Sequence, residues 1–103
     1  MQKIIEGKRY NTETATKVAE HSQASWSDFQ YQEEALYITQ NGNWFTAGSG
    51  GADSTYAVPV GHNNRTGSSA IRLLSPEEAF RWLERYDIVD ALEKYFPDRI
   101  TDA

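Results

Sequence analysis

The stretch Leu36-Tyr37-Ile38-Thr39-Gln40-Asn41-Gly42-Asn43-Trp44-Phe45-Thr46-Ala47 decides how this chain of 103 residues folds. Asn41-Gly42 separates two runs of apolar, aromatic and β-branched residues. Asn-Gly best tolerates the paired positive φ angles of a type I′ hairpin turn. A two-residue loop predicts the register. Ile38 faces Phe45, Tyr37 faces Thr46, and Leu36 faces Ala47. Strand side chains alternate, so Leu36, Ile38, Phe45 and Ala47 share the expected core face. Tyr31, Tyr37 and Trp44 fall on the other, a candidate aromatic binding face.

Working toward the N-terminus, Phe29–Gln40 reads as a strand, and Ser22–Asp28 as a polar connection carrying Trp26. Asn11 has the chemistry of a helix N-cap. A short helix is expected over Thr12–His21, with a thin apolar stripe of Ala15, Val18 and Ala19. Lys3–Tyr10 reads as a short strand or hairpin turning at Gly7. Toward the C-terminus, Gly48-Ser49-Gly50-Gly51 interrupts the pattern as a turn or loop. Thr55–Val60 is a short strand with Pro59 at its end or at a sheet edge. Gly61–Ser69 is a polar loop, and Ala70–Leu74 is the last strand.

Ser75-Pro76-Glu77-Glu78 opens a helix. Ser75 caps, Pro76 takes the first helical position, and Glu78 completes a capping box. Asp87 is expected to end that helix and to cap a second one over Ile88–Phe96. Pro97 stops it, leaving 97–103 as a loose tail. The expected fold is a single α+β domain over 1–103. It has a small antiparallel sheet with its hairpin at Asn41-Gly42, a short N-terminal helix and C-terminal helices.

Fifteen acids against ten bases give a net charge of −5. That balance disfavours direct nucleic-acid binding, which needs cations for phosphates, and permits docking on a basic protein surface. The chain has no cysteine, which excludes disulfides, thiolate catalysis and Cys-ligated zinc. No stretch approaches the roughly 20 apolar residues of a membrane span, and the N-terminus carries no apolar signal region. A cytoplasmic monomer without a cofactor is the expectation.

Catalytic and metal-binding signatures are weak. The glycine run lacks the Gly-Lys-Ser/Thr ending of a phosphate-binding loop, and Asp53 would repel phosphate. His21 and His62 are the only histidines, and neither has metal-ligand spacing; both read as surface or helix-end residues. Glu33-Glu34 is a candidate acid pair: adjacent strand residues point to opposite faces, which carries one toward the core unless it lies beyond the core's edge. A solvated strand-end acid or a partner for Arg9 or Arg72 is the favoured reading. A small enzyme using such an acid is the minor alternative. From Ser75 to Ala103 eight acids face four bases, so four of the five surplus negative charges lie there. Glu77, Glu84, Asp87, Asp90 and Glu93 are the candidate partner-binding residues. Glu84, Asp87 and Asp90, three apart, would form a negative ridge on a helix surface. Glu77–Arg81 and Asp90–Lys94 have the spacing of softening ion pairs.

Several segments together resemble a small bacterial family associated with phages, plasmids and other mobile elements. They are Lys3 to Ala15, Tyr31 to Thr39, Asn41-Gly42-Asn43-Trp44-Phe45, Gly48 to Gly51, Leu74-Ser75-Pro76-Glu77-Glu78-Ala79 and Trp82-Leu83-Glu84. The resemblance covers most of residues 3–85, carries no catalytic residue over, and leaves Ile88–Ala103 as a departure. It implies a mobile-element accessory protein. Small acidic proteins in that setting include inhibitors of host defence, among them the type I-C anti-CRISPR proteins, whose partners are CRISPR effector complexes of the bacterial host.

Overall fold

The computed structural model describes residues 1–23, 31–51, 56–60, 64–66 and 68–103. Trp26 and most of its connecting segment, Asp53, and His62 lie outside the described residues.

The fold is α+β. Among the described residues, eight strands are followed by two α-helices: β1 Gln2–Ile5, β2 Lys8–Asn11, β3 Thr16–Gln23, β4 Gln32–Ile38, β5 Trp44–Gly50, β6 Val58–Val60, β7 Asn64–Thr66, β8 Ser68–Leu74, α1 Pro76–Arg85 and α2 Val89–Tyr95. A four-stranded antiparallel sheet, ordered β3-β4-β5-β8, forms the centre; β1-β2 and β6-β7 are separate two-stranded sheets. The helices cover one face of the central sheet. There Leu36 and Trp44 meet Ala79, Trp82, Leu83 and Ala91. The other face carries a second core of Tyr10, Tyr37, Phe45 and Ile71, closed by the β1–β2 hairpin.

The hairpin tip lies at Asn41-Gly42, but the register differs from expectation by one residue. Ile38 pairs with Trp44, Tyr37 with Phe45, and Leu36 with Thr46. The Thr39 N–H donates to the Asn43 carbonyl at 2.9 Å, and the Gly42 N–H to the Thr39 carbonyl at 2.9 Å. The loop is therefore the three residues Gln40-Asn41-Gly42. Gly42 is left-handed at φ 85°, and Asn41 is not among the positive-φ residues. This is the three-residue hairpin that ends in a left-handed glycine. The Thr39 hydroxyl helps set it by accepting the Asn43 N–H at 3.0 Å. A one-residue slip exchanges faces. Trp44 joins Leu36 and Ile38 under the helices, while Phe45 and Ala47 join Tyr37 on the opposite side. Paired positive φ values occur instead at Glu6 (52°) and Gly7 (76°), in the β1–β2 hairpin expected around Gly7.

The N-terminal helix expected over Thr12–His21 is not formed; Thr16–Gln23 is strand β3. Asn11 is therefore not a helix N-cap; it ends β2, and its side chain accepts the Glu13 N–H at 2.9 Å in a local Asx turn. The chain leaves that turn after Ala15, whose N–H bonds the Asn11 carbonyl at 3.0 Å. Thr14, Thr16 and Val18 favour extended backbone, and β4 supplies a pairing edge. A bulge between Lys17 and Ala19 lets adjacent Val18 and Ala19 both pack toward the helix-side core.

Gly48 to Gly50, expected as a turn or loop, lie within β5. The last strand extends back to Ser68, and β7 occupies part of the expected polar loop. Pro59 sits in β6 of a two-stranded sheet, where a missing N–H is tolerated.

Helix α1 begins as expected. Ser75 accepts the Glu78 N–H at 3.1 Å, and Glu78 accepts the Ser75 N–H at 2.9 Å. Asp87 does not cap α2, whose N-cap is Ile88 without a side-chain bond. It occupies the left-handed position after α1, at φ 57°. There the Ile88 N–H reaches the Leu83 carbonyl at 3.0 Å and the Asp87 N–H reaches that of Glu84 at 3.1 Å. This is the Schellman termination. Pro97–Arg99, expected to begin the loose tail, forms a 3-10 turn. Its Arg99 guanidinium lies 4.0 Å above the Phe80 ring and 2.7 Å from Glu77.

Candidate functional site

The C-terminal acids divide by how they are engaged. Glu77 is held by Arg99 at 2.7 Å and by the expected partner Arg81 at 3.2 Å. The hydrogen bond from Arg99 is the main reason its carboxyl lies below the usual glutamate value. Glu78 serves the α1 cap. Glu84, Asp87, Asp90 and Glu93 are exposed and make no ion pair among the described residues. The expected Asp90–Lys94 pair is not formed. The Lys94 ammonium lies 5.4 Å from the centroid of the Tyr95 ring. Glu84, Asp87 and Asp90 do not form a ridge on one helix, because the left-handed Asp87 ends one helix before the next begins. The continuous part of the acidic face is Asp90 and Glu93 on α2, one helical turn apart, beside exposed Val89.

Tyr31, Tyr37 and Trp44 do not share an exposed face. Trp44 is 6% exposed, packed edge-on to Tyr95 and stacked on Phe96 at 5.4 Å. Tyr37 is buried on the opposite side of the sheet, stacked on Phe45 at 5.1 Å. Tyr31 precedes β4, and its hydrogen bond to Glu33 raises its phenol above the ordinary tyrosine value.

The acid carried inward is Glu34. β4 points it to the helix side, where its Oε1 accepts the Trp82 indole N–H at 3.0 Å and the Tyr86 hydroxyl at 3.4 Å. Its Oε2 accepts the Tyr56 hydroxyl at 2.5 Å. Burial, followed by this bond to Glu34, pushes the Tyr56 phenol well above its ordinary value. Tyr56 reaches Glu34 because Gly48, the β5 partner of Glu34, has no side chain: a Cβ there would lie 2.5 Å from the Tyr56 oxygen. On the other flank His21, the β3 partner of Glu34, stacks on Tyr86 at 3.7 Å. His21 is thus a half-buried strand residue, not a helix-end one. Glu33 points away and is exposed, 3.5 Å from the Ser49 hydroxyl.

Two grooves flank Glu34. One, of about 560 Å³, runs along the hairpin side of the sheet past Lys17, Glu20, His21 and Glu33. Within it the Lys17 ammonium lies 3.1 Å from Glu20, which raises the lysine value. The other, of about 440 Å³, opens between α1 and the sheet past Gln32, Arg72, Arg81 and Arg85. Among the described residues no group of three or more His, Asp or Glu side chains is placed to hold a metal ion. No helix among them is long and apolar enough to cross a membrane.

Sequence reasoning identified the Glu33-Glu34 alternation but not the donors to Glu34. They come from positions 22, 48 and 52 residues away. Comparison with protein-family models, curated proteins and solved structures found no match.

Proposed function

We propose that this protein is a non-catalytic inhibitor whose acidic C-terminal helices dock on a basic, nucleic-acid-binding surface of a bacterial defence complex, in the manner of an anti-CRISPR protein. The carrying observation is the exposed set Glu84, Asp87, Asp90 and Glu93, which make no ion pair among the described residues, in a chain of net charge −5. Carboxylates presented without intramolecular cations use the same long-range field as phosphates, and steer toward Lys and Arg clusters. Val89, 52% exposed between these acids, supplies an apolar contact on the same surface. The choice of a defence complex as partner rests on the resemblance to mobile-element proteins.

The test is plasmid interference in cells carrying an active type I-C CRISPR system. Expression of the protein should restore transformation by a targeted plasmid. The triple variant Glu84→Gln, Asp87→Asn, Asp90→Asn should fold, since asparagine tolerates the left-handed position at 87, yet lose most of that protection. Binding of the wild-type protein to the purified complex should weaken steeply with salt. No restoration by the wild type refutes the partner. Equal protection by the folded triple variant refutes the acidic surface.

A further inference from the structure

The groove between α1 and the sheet gathers three cations of this acidic protein among the described residues. Arg72 comes from β8, Arg81 and Arg85 from α1, while buried Gln32 and the aromatic pair Trp82 and Tyr86 line the same space. Two acids also border it, and both are committed to internal donors. Glu34 takes the Trp82, Tyr86 and Tyr56 donors, and Glu78 accepts the Ser75 N–H. The cations differ. Arg81 is shared with Glu77 outside the groove, whereas Arg85 makes no ion pair among the described residues. The Arg72 guanidinium is carried on the Tyr56 ring, 4.0 Å from its centroid, and Tyr56 is in turn held by Glu34.

We propose that this groove is a binding site for a small molecule bearing a phosphate or carboxylate group, with Arg72 and Arg85 as its anion-holding residues. Guanidinium groups present paired N–H donors that match both oxyanions, and a preordered arginine loses less freedom on binding than a free one. The volume of about 440 Å³ lies within the roughly 300–1,000 Å³ of small-molecule sites. The Trp82–Tyr86 pair gives an aromatic wall, and buried Gln32 lines the same groove. The site is opposite in sign to the acidic surface of α2 and independent of it.

The experiment is an NMR titration of the full chain with sodium phosphate, citrate and adenosine monophosphate, with sodium chloride at matched ionic strength as reference. Saturable shifts of the Trp82 indole N–H and the Arg85 guanidinium signal are expected. The phosphate and citrate arms separate phosphate from carboxylate preference; the nucleotide arm reports the contribution of an attached ring. Arg85→Gln, at an exposed helix position, should keep the fold and weaken binding about tenfold, the loss of one charged hydrogen-bond partner. Arg72→Gln should do the same. Arg9→Gln, on the distant β2, should leave affinity unchanged. Shifts reproduced by chloride, failure of all three anions to saturate, or unchanged affinity in Arg85→Gln would each overturn the assignment.

Discussion

Replacing Gly48 by alanine tests the packing that brings Tyr56 to Glu34. A Cβ at position 48 would lie 2.5 Å from the Tyr56 hydroxyl oxygen, 2.6 Å from Tyr56 Cζ and 2.6 Å from the Glu33 carbonyl oxygen. The carbonyl belongs to a strand paired on both sides and cannot withdraw. The ring can retreat only by leaving Glu34. Overpacking of this kind costs about 1–3 kcal/mol, and loss of a hydrogen bond to a charged acceptor about 1.5–3 kcal/mol. The expected destabilisation is about 3 kcal/mol, hence about 15 °C in Tm for a domain of this size. Urea unfolding followed by circular dichroism measures the first, and thermal melting the second. In a Tyr56→Ala background two of the three close contacts and the Tyr56–Glu34 bond are gone, while the clash with the Glu33 carbonyl remains. The same glycine replacement should therefore cost less by about 1.5–3 kcal/mol, the part that belongs to the lost hydrogen bond. A Gly48→Ala protein within about 0.5 kcal/mol of wild type, or an undiminished cost in the Tyr56→Ala background, would refute the reasoning.

Glu34→Ala strands three donors, those of Tyr56, Trp82 and Tyr86, and should cost about 2–4 kcal/mol. Glu34→Gln, which keeps one acceptor oxygen, should cost less; urea unfolding of both variants checks the order. The Arg99–Glu77 contact should depend on pH in one direction. The folded Glu77 carboxyl lies below its ordinary 4.5, so its stabilisation is present above that value and is lost as pH falls through the folded value. The Arg99 Nε–H signal should therefore be constant at neutral pH and shift only in the acid range below 4.5. In Glu77→Gln the shift should be absent.

The chain determined by itself the features that rest on near neighbours. Ser75-Pro76-Glu77-Glu78 starts α1 because both capping bonds close within four residues. Gly42 marks the hairpin tip because its left-handed φ is a local requirement. The turn at Gly7 and the interruption of helix at Asp87 are equally local. Three decisions needed the tertiary structure. The register of β4 on β5 followed a three-residue turn supported by the Thr39 hydroxyl, and its one-residue shift sent Trp44 and Phe45 to opposite cores. Thr16–Gln23 carries a weak helical stripe, and the open edge of β4 with its bulge at Val18 made it a strand instead. The Glu34 cluster was beyond any local pattern, since its donors arrive from the segment before β6 and from α1, and Gly48 matters only because Tyr56 comes to lie against it. Local chemistry places turns and caps; which side chains meet across the sheet depends on register, and register is settled only when both faces have found their cover.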